Sequence, residues 1–242
     1  MKGVEAIERY LGAQAALMRQ SESPGTASRV RPFVTISRQA GAGGYSLAEA
    51  LVEHFAEQED TALFGGWQVF DRKLCEIVAE DPAYSSSMSS LLAEEYGSKT
   101  ADFFGQIFGP AMDRDVLAHE VFRVVAAVAT IGKCVIVGRA GSEVTRELSP
   151  GVSVRIVAPE EVRIKGVMDY YGLDERAARE EARKLDASRA RLLKSHFQVD
   201  IDDPTRYDAT WNTGQVPVKI IAESIGLMLV RRVEASRMVS RR

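Results

Sequence analysis

The chain has 242 residues, of which 45% are hydrophobic and 27% are charged. This length allows one large domain with a sizeable core, and this composition excludes a disordered or fibrous chain. The formal net charge of −3 argues against nucleic acid as a partner, because proteins that bind it usually present a basic face. No apolar run could span a bilayer and no signal-peptide pattern is found, so we expect a cytoplasmic protein that does not bind membranes.

The first predicted element is an amphipathic helix over residues 4–18. Its apolar side chains recur on one face: Val4, Ile7, Leu11, Ala15 and Met18. Residues 21–26 (SESPGT) then have the composition of a linker. We therefore assign residues 1–30 to an N-terminal helix and linker, and residues 31–242 to the main domain. The helix is expected to dock either on the core or on another subunit, which would make it the contact of a homodimer.

A glycine-rich turn follows the first predicted strand, residues 33–37. The turn reads RQAGAGGYS, residues 38–46, and a helical pattern of Leu47, Leu51 and Phe55 comes after it. Such a turn can cradle phosphates, because backbone N–H groups and the positive end of the helix dipole point at the anion. The P-loop pattern GxxxxGK[ST] is not matched, since Gly44 stands at the position of the lysine and Tyr45 at that of the Ser/Thr.

The same turn also has a purely structural interpretation. Gly41, Gly43 and Gly44 could simply allow positive φ in a tight turn. Ser46 and Glu49 match an S-x-x-E capping box, which satisfies the first helix amides without a ligand. In the functional interpretation Ser46 is the hydroxyl nearest to the P-loop position that binds Mg²⁺. We expect capping to be its role in the empty protein.

Strands and helices alternate along the rest of the chain. Strands are predicted at 67–70, 134–137, 152–157 and 207–211, and helices at 160–197, with a break at Gly172, and at 217–235. Residues 84–131 contain no convincing strand and are interpreted as an inserted helical subdomain. Strands that alternate with helices predict an α/β fold whose parallel sheet is covered on both faces.

Polar residues follow the second and third predicted strands. Ligands of open parallel sheets bind beyond the carboxyl ends of the strands, so these residues should meet the 38–46 turn. Asp71 and Arg72 follow the second strand, and Gly138 and Arg139 follow the third. The planar guanidinium of Arg139 suits bidentate phosphate binding. Asp71 is either a helix N-cap or an acceptor for a nucleoside or a metal-bound water.

The segment 176–191 is rich in arginine. This pattern is typical of a solvated helix face with i,i+4 ion pairs. The functional alternative is a mobile lid whose arginines close on phosphates and stabilise charge on a transferring group. Asp186 and Arg189 are accordingly either an ordinary i,i+3 pair or part of such a lid.

Together these positions resemble the cytidylate kinase-like branch of the nucleoside monophosphate kinases, which are P-loop proteins. Four stretches carry the resemblance: TISRQAGAGGYSLAEAL, VFDRKLCEIVAED, CVIVGRAGSEV and LDASRARLLKSHFQVDIDDPTRYDATWNT. The first is similar to the branch's variant phosphate loop, in which the lysine is commonly absent. The resemblance implies a three-layer fold around a parallel five-stranded sheet with the phosphate-loop strand central. It also implies a helical nucleotide-binding insertion at 84–131 and a lid at 160–197.

The resemblance further implies nucleotide substrates, ATP and Mg²⁺ as cofactors, and an acceptor such as CMP or dCMP. The residues that would hold ATP are Gly41, Ala42, Gly43, Gly44, Tyr45 and Ser46, with Ser46 also on Mg²⁺. The residues on the acceptor side would be Asp71, Arg72, Gly138, Arg139, Asp186 and Arg189. The arginines that would act on the phosphates are Arg38, Arg139, Arg163 and Arg189, and Arg38 is the candidate replacement for the lysine.

Three departures favour a second function, that of a catalytically weak or inactive nucleotide-binding sensor or scaffold with a kinase-derived fold. The loop lysine is missing, and the third strand lacks an acidic Walker B residue. Ala140 stands where the Gly-Arg-Asp motif of the branch has its aspartate. The retained arginines favour the kinase, because a site without phosphates has no physical reason to gather so many cations.

Overall fold

A computed structural model describes residues 7–14, 31–71, 75, 116–148 and 150–239. Its centre is a sheet of five parallel strands in the order β2-β3-β1-β4-β5. The strands are β1 (Phe33–Arg38), β2 (Gln68–Phe70), β3 (Cys134–Val137), β4 (Gly151–Val157) and β5 (Ala209–Asn212). The predicted five-stranded parallel sheet, with the glycine-turn strand in the middle, is confirmed. Only β5 is shifted from its predicted position, and it begins and ends later than the predicted 207–211.

Helices cover both faces of this sheet. They are α1 (residues 7–14), α2 (Gly44–Ala56), α3 (Thr61–Phe64), α4 (Val116–Ile131), α5 (Gly141–Val144), α6 (Glu160–Tyr171), α7 (Glu175–Phe197) and α8 (Val218–Val239). The predicted break at Gly172 is confirmed, since this residue ends α6 with a φ of +67°. Within the described residues no helix is both long and apolar enough to cross a membrane. Residues 84–115 of the predicted insertion lie outside the described residues.

Two hydrophobic clusters hold the layers together, and β1 contributes to both. Successive strand side chains point to opposite faces of a sheet. Val34 and Ile36 therefore pack with α2 and α8, whereas Phe33 packs with α1 and α4. A fully buried Leu or Phe contributes roughly 1.5–3 kcal/mol to stability. The fully buried side chains of α2 and α8 include Leu47, Leu51, Phe55, Ile221, Ile225 and Leu229. This packing fixes the position of the turn that β1 feeds.

The N-terminal helix α1 docks on the core of its own chain. Ile7 and Tyr10 are buried, and the Tyr10 hydroxyl donates to the carbonyl oxygen of Gly132 at 2.6 Å. The Tyr10 ring also packs edge-on against Phe70, with centroids 5.0 Å apart. Burial raises the pKa of Tyr10 well above its ordinary value, so the hydroxyl stays protonated and able to donate. Of the two docking modes expected for this helix the structure has the first, and a homodimer through it stays a prediction.

Helix α6 packs directly on the turn after β1. A Cβ on Gly41 would lie 1.9 Å from the carbonyl oxygen of Arg163, and a Cβ on Gly166 would lie 2.6 Å from that of Gly41. Gly41 also has a φ of +75°. The sequence interpretation explained Gly41 by positive φ or by access for phosphate. The structure adds a second requirement, which is the close approach of two backbones.

We expect Gly41→Ala to destabilise the protein by about 1–3 kcal/mol more than Gly43→Ala, because only the first overpacks the structure. Both glycines have positive φ, +75° and +85°, so the strain of a left-handed alanine is common to both variants. A Cβ on Gly43 would meet no atom within 4 Å. Urea unfolding monitored by circular dichroism measures the difference, and equal midpoints for the two variants would contradict it.

Candidate functional site

The turn after β1 leads directly into α2, and no side chain caps the first backbone N–H groups of this helix in the described chain. Gly43 is the N-cap, with a left-handed φ of 85°, and it has no side chain that could satisfy the first amides. Within the described chain, the N–H groups of Gly44, Tyr45 and Ser46 donate to no protein acceptor. The predicted capping box is wrong, because α2 begins at Gly44 and Ser46 is already its third residue. Gly43, a glycine at positive φ, is the N-cap instead, so the helix begins before the S-x-x-E pattern.

Three arginines line one small cavity of about 40 Å³ beside this turn. They are Arg38, Arg139 and Arg189, which come from the end of β1, the turn after β3 and helix α7. Ser37 and Ser142 add polar lining, and Leu192, Leu193 and Ile201 supply apolar lining. The structure thus brings together three of the four arginines that the sequence singled out for phosphate contacts.

Arg38 lies in a buried position that disfavours the charged form of its side chain. A Cβ on Gly138 would lie 2.0 Å from Nη1 of Arg38, so the missing side chain of Gly138 makes room for the guanidinium. Burial, followed by the positive charge of Arg189, lowers the pKa of Arg38 from 12.5 to about 10. Among the described residues no carboxylate forms an ion pair with it. A buried cation that forms no ion pair favours the binding of an anion.

The turn after β3 presents Arg139 through an uncommon backbone. Gly138, Arg139 and Ala140 have successive φ values of 80°, 54° and 54°. Left-handed non-glycine residues store strain of about 1–3 kcal/mol each and persist only where the surrounding structure enforces them. Buried Ala140 is packed into the core on the α4 side, which supplies that enforcement. The strained turn directs the chain so that Arg139 reaches the cavity lining.

Asp186 joins α7 to the glycine-rich turn. Its Oδ1 accepts from the backbone N–H of Ala40 at 2.7 Å and from Nη1 of Arg189 at 3.2 Å. Its Oδ2 accepts from Nη1 of Arg163 at 2.6 Å. Asp186 and Arg189 are therefore the i,i+3 pair of the structural interpretation, and they also contact the turn. Arg163 is paired with Asp186 and is not among the residues that line the arginine cavity.

The arginine-rich segment divides into two parts. Arg176 and Arg179 lie on the solvated face, where Arg176 pairs with Glu180 and Arg179 bonds Glu160 and Glu175, both at 2.7 Å. Exposed pairs of this kind contribute little to stability. In contrast, the Arg189 side chain is only 23% exposed, and burial lowers its pKa. The structural interpretation thus holds for the first part of the segment, and Arg189 faces the cavity.

Tyr45 connects the turn to the end of β2. Its hydroxyl donates to Oδ2 of Asp71 at 3.2 Å, and its ring lies parallel to that of Tyr170. Burial and then the charge of Asp71 raise the pKa of Tyr45 to about 12. The residue at the Ser/Thr position of the P-loop pattern is therefore a neutral donor to the acidic residue after β2. Arg72, predicted beside Asp71, lies outside the described residues.

Two residues near the turn were missed in the sequence. Arg155 of β4 is 4% exposed and donates from Nη1 to the Ser37 hydroxyl at 2.9 Å. An arginine inside the apolar strand VSVRIV was the available signal. Thr213 donates to the carbonyl oxygen of Ala42 at 2.9 Å and so ties the turn to the end of β5. It could have been found by extending the strand-end search to the fifth strand.

One solved structure agrees with this architecture, and two further ones align less closely. An uncharacterised protein from Eubacterium ventriosum ATCC 27560 superposes with a TM-score of 0.62 at 24% identity, over 84% of this chain and 99% of that one. A shikimate kinase from Bacteroides thetaiotaomicron aligns with a TM-score of 0.42 at 11% identity, over 81% of this chain and 97% of that one. A shikimate kinase from Acinetobacter baumannii gives 0.42 at 12% identity, over 88% and 97%.

No curated protein matches the chain. The profile of the cytidylate kinase-like family, in contrast, matches residues 33–215. This match spans all five strands, the glycine-rich turn, the arginine cavity and both helices of segment 160–197. The chain therefore belongs to the cytidylate kinase-like family.

Proposed function

We propose that the protein transfers the γ-phosphoryl group of ATP to a nucleoside monophosphate, with CMP and dCMP as the first acceptors to test. Family membership supports a function of the nucleotide-kinase type. The observation that carries the proposal is the charge of Arg38. It lies in a cavity with two further arginines, and no carboxylate among the described residues pairs with it. This is the electrostatic condition under which a phosphate is bound.

In this proposal the backbone N–H groups of the turn bind the phosphate donor ATP, and two of the arginines contact the phosphate acceptor. The N–H groups of Gly44, Tyr45 and Ser46, together with the α2 dipole, would hold the ATP phosphates. Arg38 would supply the positive charge that a P-loop takes from its lysine. Arg139 and Arg189 would contact the acceptor phosphate and the transferring group. Phosphoryl transfer asks for positioning and charge stabilisation, and one such arginine can be worth roughly 10³–10⁵ in rate.

Mg²⁺ fits a site of this kind only as a companion of the nucleotide. No group of three or more His, Cys, Asp and Glu side chains gathers as metal ligands in the described ranges. Mg²⁺ commonly keeps several waters and is held by phosphates plus one or two protein oxygens. Asp71 and the exposed hydroxyl of Ser46 would be those protein oxygens. The ion would neutralise charge on the ATP phosphates.

A nucleotide sensor without turnover is the second candidate, and Asp186 is the observation that favours it. Its carboxylate accepts a hydrogen bond from the backbone N–H of Ala40 and pairs with both Arg163 and Arg189. Part of the site is thus satisfied by an anion of the chain itself. In the kinase proposal an incoming phosphate competes with this carboxylate, whereas in a sensor the same exchange would report that nucleotide is bound.

Arg38→Met should raise the stability of the ligand-free protein and abolish ATP binding. The pKa of Arg38 is lower in the folded protein than its ordinary 12.5, so at every pH below about 10 the charged form opposes folding. We expect a gain of ~1 kcal/mol, or about 2–4 °C in Tm. Methionine keeps the stem that packs against Gly44. Calorimetry with ATP and thermal unfolding test both effects.

The matched control for that variant is Arg176→Met. Arg176 is 92% exposed and, among the described residues, pairs only with Glu180 at 3.7 Å, so neither Tm nor ATP affinity should change. If Arg38→Met binds ATP as tightly as the unmodified protein does, Arg38 does not replace the lysine.

Turnover separates the two candidate functions. The full chain is incubated with MgATP and each nucleoside monophosphate, and ADP is followed. A kinase forms ADP with at least one acceptor, and Arg139→Ala should lower this rate by about 10³-fold. Binding of ATP without turnover on any acceptor would leave the sensor.

Gly138→Ala should lower the same rate by about 10²-fold, the usual effect of losing one electrostatic contact, because the new methyl displaces the guanidinium of Arg38. Gly66→Ala is the control. Its φ of +78° nearly equals the +80° of Gly138, but its Cβ would meet no atom within 4 Å. Equal rates for the two variants would show that the position of Arg38 does not matter for the reaction.

A further inference from the structure

Three exposed tyrosines form one aromatic patch, which consists of Tyr45, Tyr170 and Tyr171. They are 37%, 65% and 49% exposed, respectively. The rings of Tyr45 and Tyr170 are parallel within 6°, with centroids 6.0 Å apart. Tyr171 packs edge-on against Tyr170, with centroids 4.7 Å apart. Single exposed apolar groups are common, whereas neighbouring exposed rings such as these can form part of an interaction site.

The aromatic patch is connected to the arginine cavity through the glycine-rich turn. Tyr45 directly follows Gly44 in the glycine-rich turn, and Gly44 lies against the side-chain stem of Arg38, since a Cβ on it would be 3.0 Å from Cγ of Arg38. A ligand whose phosphate lies among the arginines therefore has the aromatic faces within reach of the group attached to that phosphate.

The patch suits a flat, uncharged ring better than the other groups that aromatic faces bind. A cationic group would also be attracted to tyrosine faces, but the neighbouring arginines repel it. The hydrogen bond from Tyr45 to Asp71 fixes the ring of Tyr45, so part of the ordering cost is met before the ligand arrives. Every nucleobase presents a π-face, and stacking on an aromatic side chain depends little on which base it is.

We propose that Tyr45, Tyr170 and Tyr171 form the platform on which the base of the acceptor nucleotide stacks. Asp71, which the family resemblance implies on the acceptor side, accepts the hydrogen bond of Tyr45, and this supports the assignment of the patch to the acceptor. Stacking on these rings does not depend on base-specific hydrogen bonds. The site would then bind the acceptor phosphate with high affinity and discriminate little between bases. This inference rests on the proposed function, since the arginines must hold the phosphate.

Calorimetric titration of the full chain with CMP, AMP and ribose 5-phosphate tests the platform. Both nucleotides should bind about 5- to 150-fold more tightly than ribose 5-phosphate, which is the factor that one stacked base supplies. Tyr170→Ala should remove at least 5-fold of this advantage and leave ribose 5-phosphate binding unchanged. Tyr170→Phe should retain the advantage, because it keeps the ring. Tyr170 is largely exposed, so both variants should unfold at the Tm of the unmodified protein.

The contrary outcomes are distinct from one another. Equal affinity for CMP, AMP and ribose 5-phosphate would overturn the platform and leave the phosphate site intact. An equal loss for all three ligands in Tyr170→Ala would also overturn it, because the tyrosine would then act only through the turn. Absence of binding by every phosphate would overturn the proposed function along with the platform.

Discussion

The positive charge of Arg38, desolvated at the end of the central strand, is the constraint around which this part of the molecule is arranged. Glycine stands on two sides of the side chain, because a Cβ on Gly138 would overlap the guanidinium and one on Gly44 would lie 3.0 Å from Cγ. Burial and the nearby charge of Arg189 both oppose the ionised form. The buried charge of Arg38 lowers the stability of the folded protein, and a bound anion would compensate it. Such destabilising groups are characteristic of functional sites.

The packing of the sheet makes such a concentration of charge tolerable. β1 is flanked by β3 and β4 and is covered on both faces, so its end cannot shift to relieve repulsion. Arg155 and Thr213 brace the same edge through Ser37 and Ala42. Asp186 neutralises part of the local charge while it holds α7 against the turn. In the proposed function, these contacts would hold the phosphate-binding groups in fixed positions.

The sequence predicted the fold well because its signals are local. Apolar runs marked the strands, whereas the central place of the glycine-turn strand came from the family resemblance. The start of α2 was missed, since the left-handed conformation of Gly43 outweighed the capping pattern of Ser46. The pairing of Arg163 with Asp186 was missed as well, because it depends on how α6 and α7 meet in space. No spacing rule expresses a contact of that kind, whereas Arg139 could be placed from its strand end alone.

The contact between Gly41 and Gly166 restricts how the segment 160–197 can move. Two backbones that touch without intervening side chains cannot slide past each other, so α6 and the turn after β1 form one rigid unit. If nucleotide binding rearranges this segment, the pivot falls at Gly172, whose left-handed φ ends α6 and whose surroundings are open. α7 also packs against α6 through Ala178 and Ala182 and pairs with it through Asp186 and Arg163, so such a movement would have to break these contacts together with the hydrogen bond from Ala40 to Asp186.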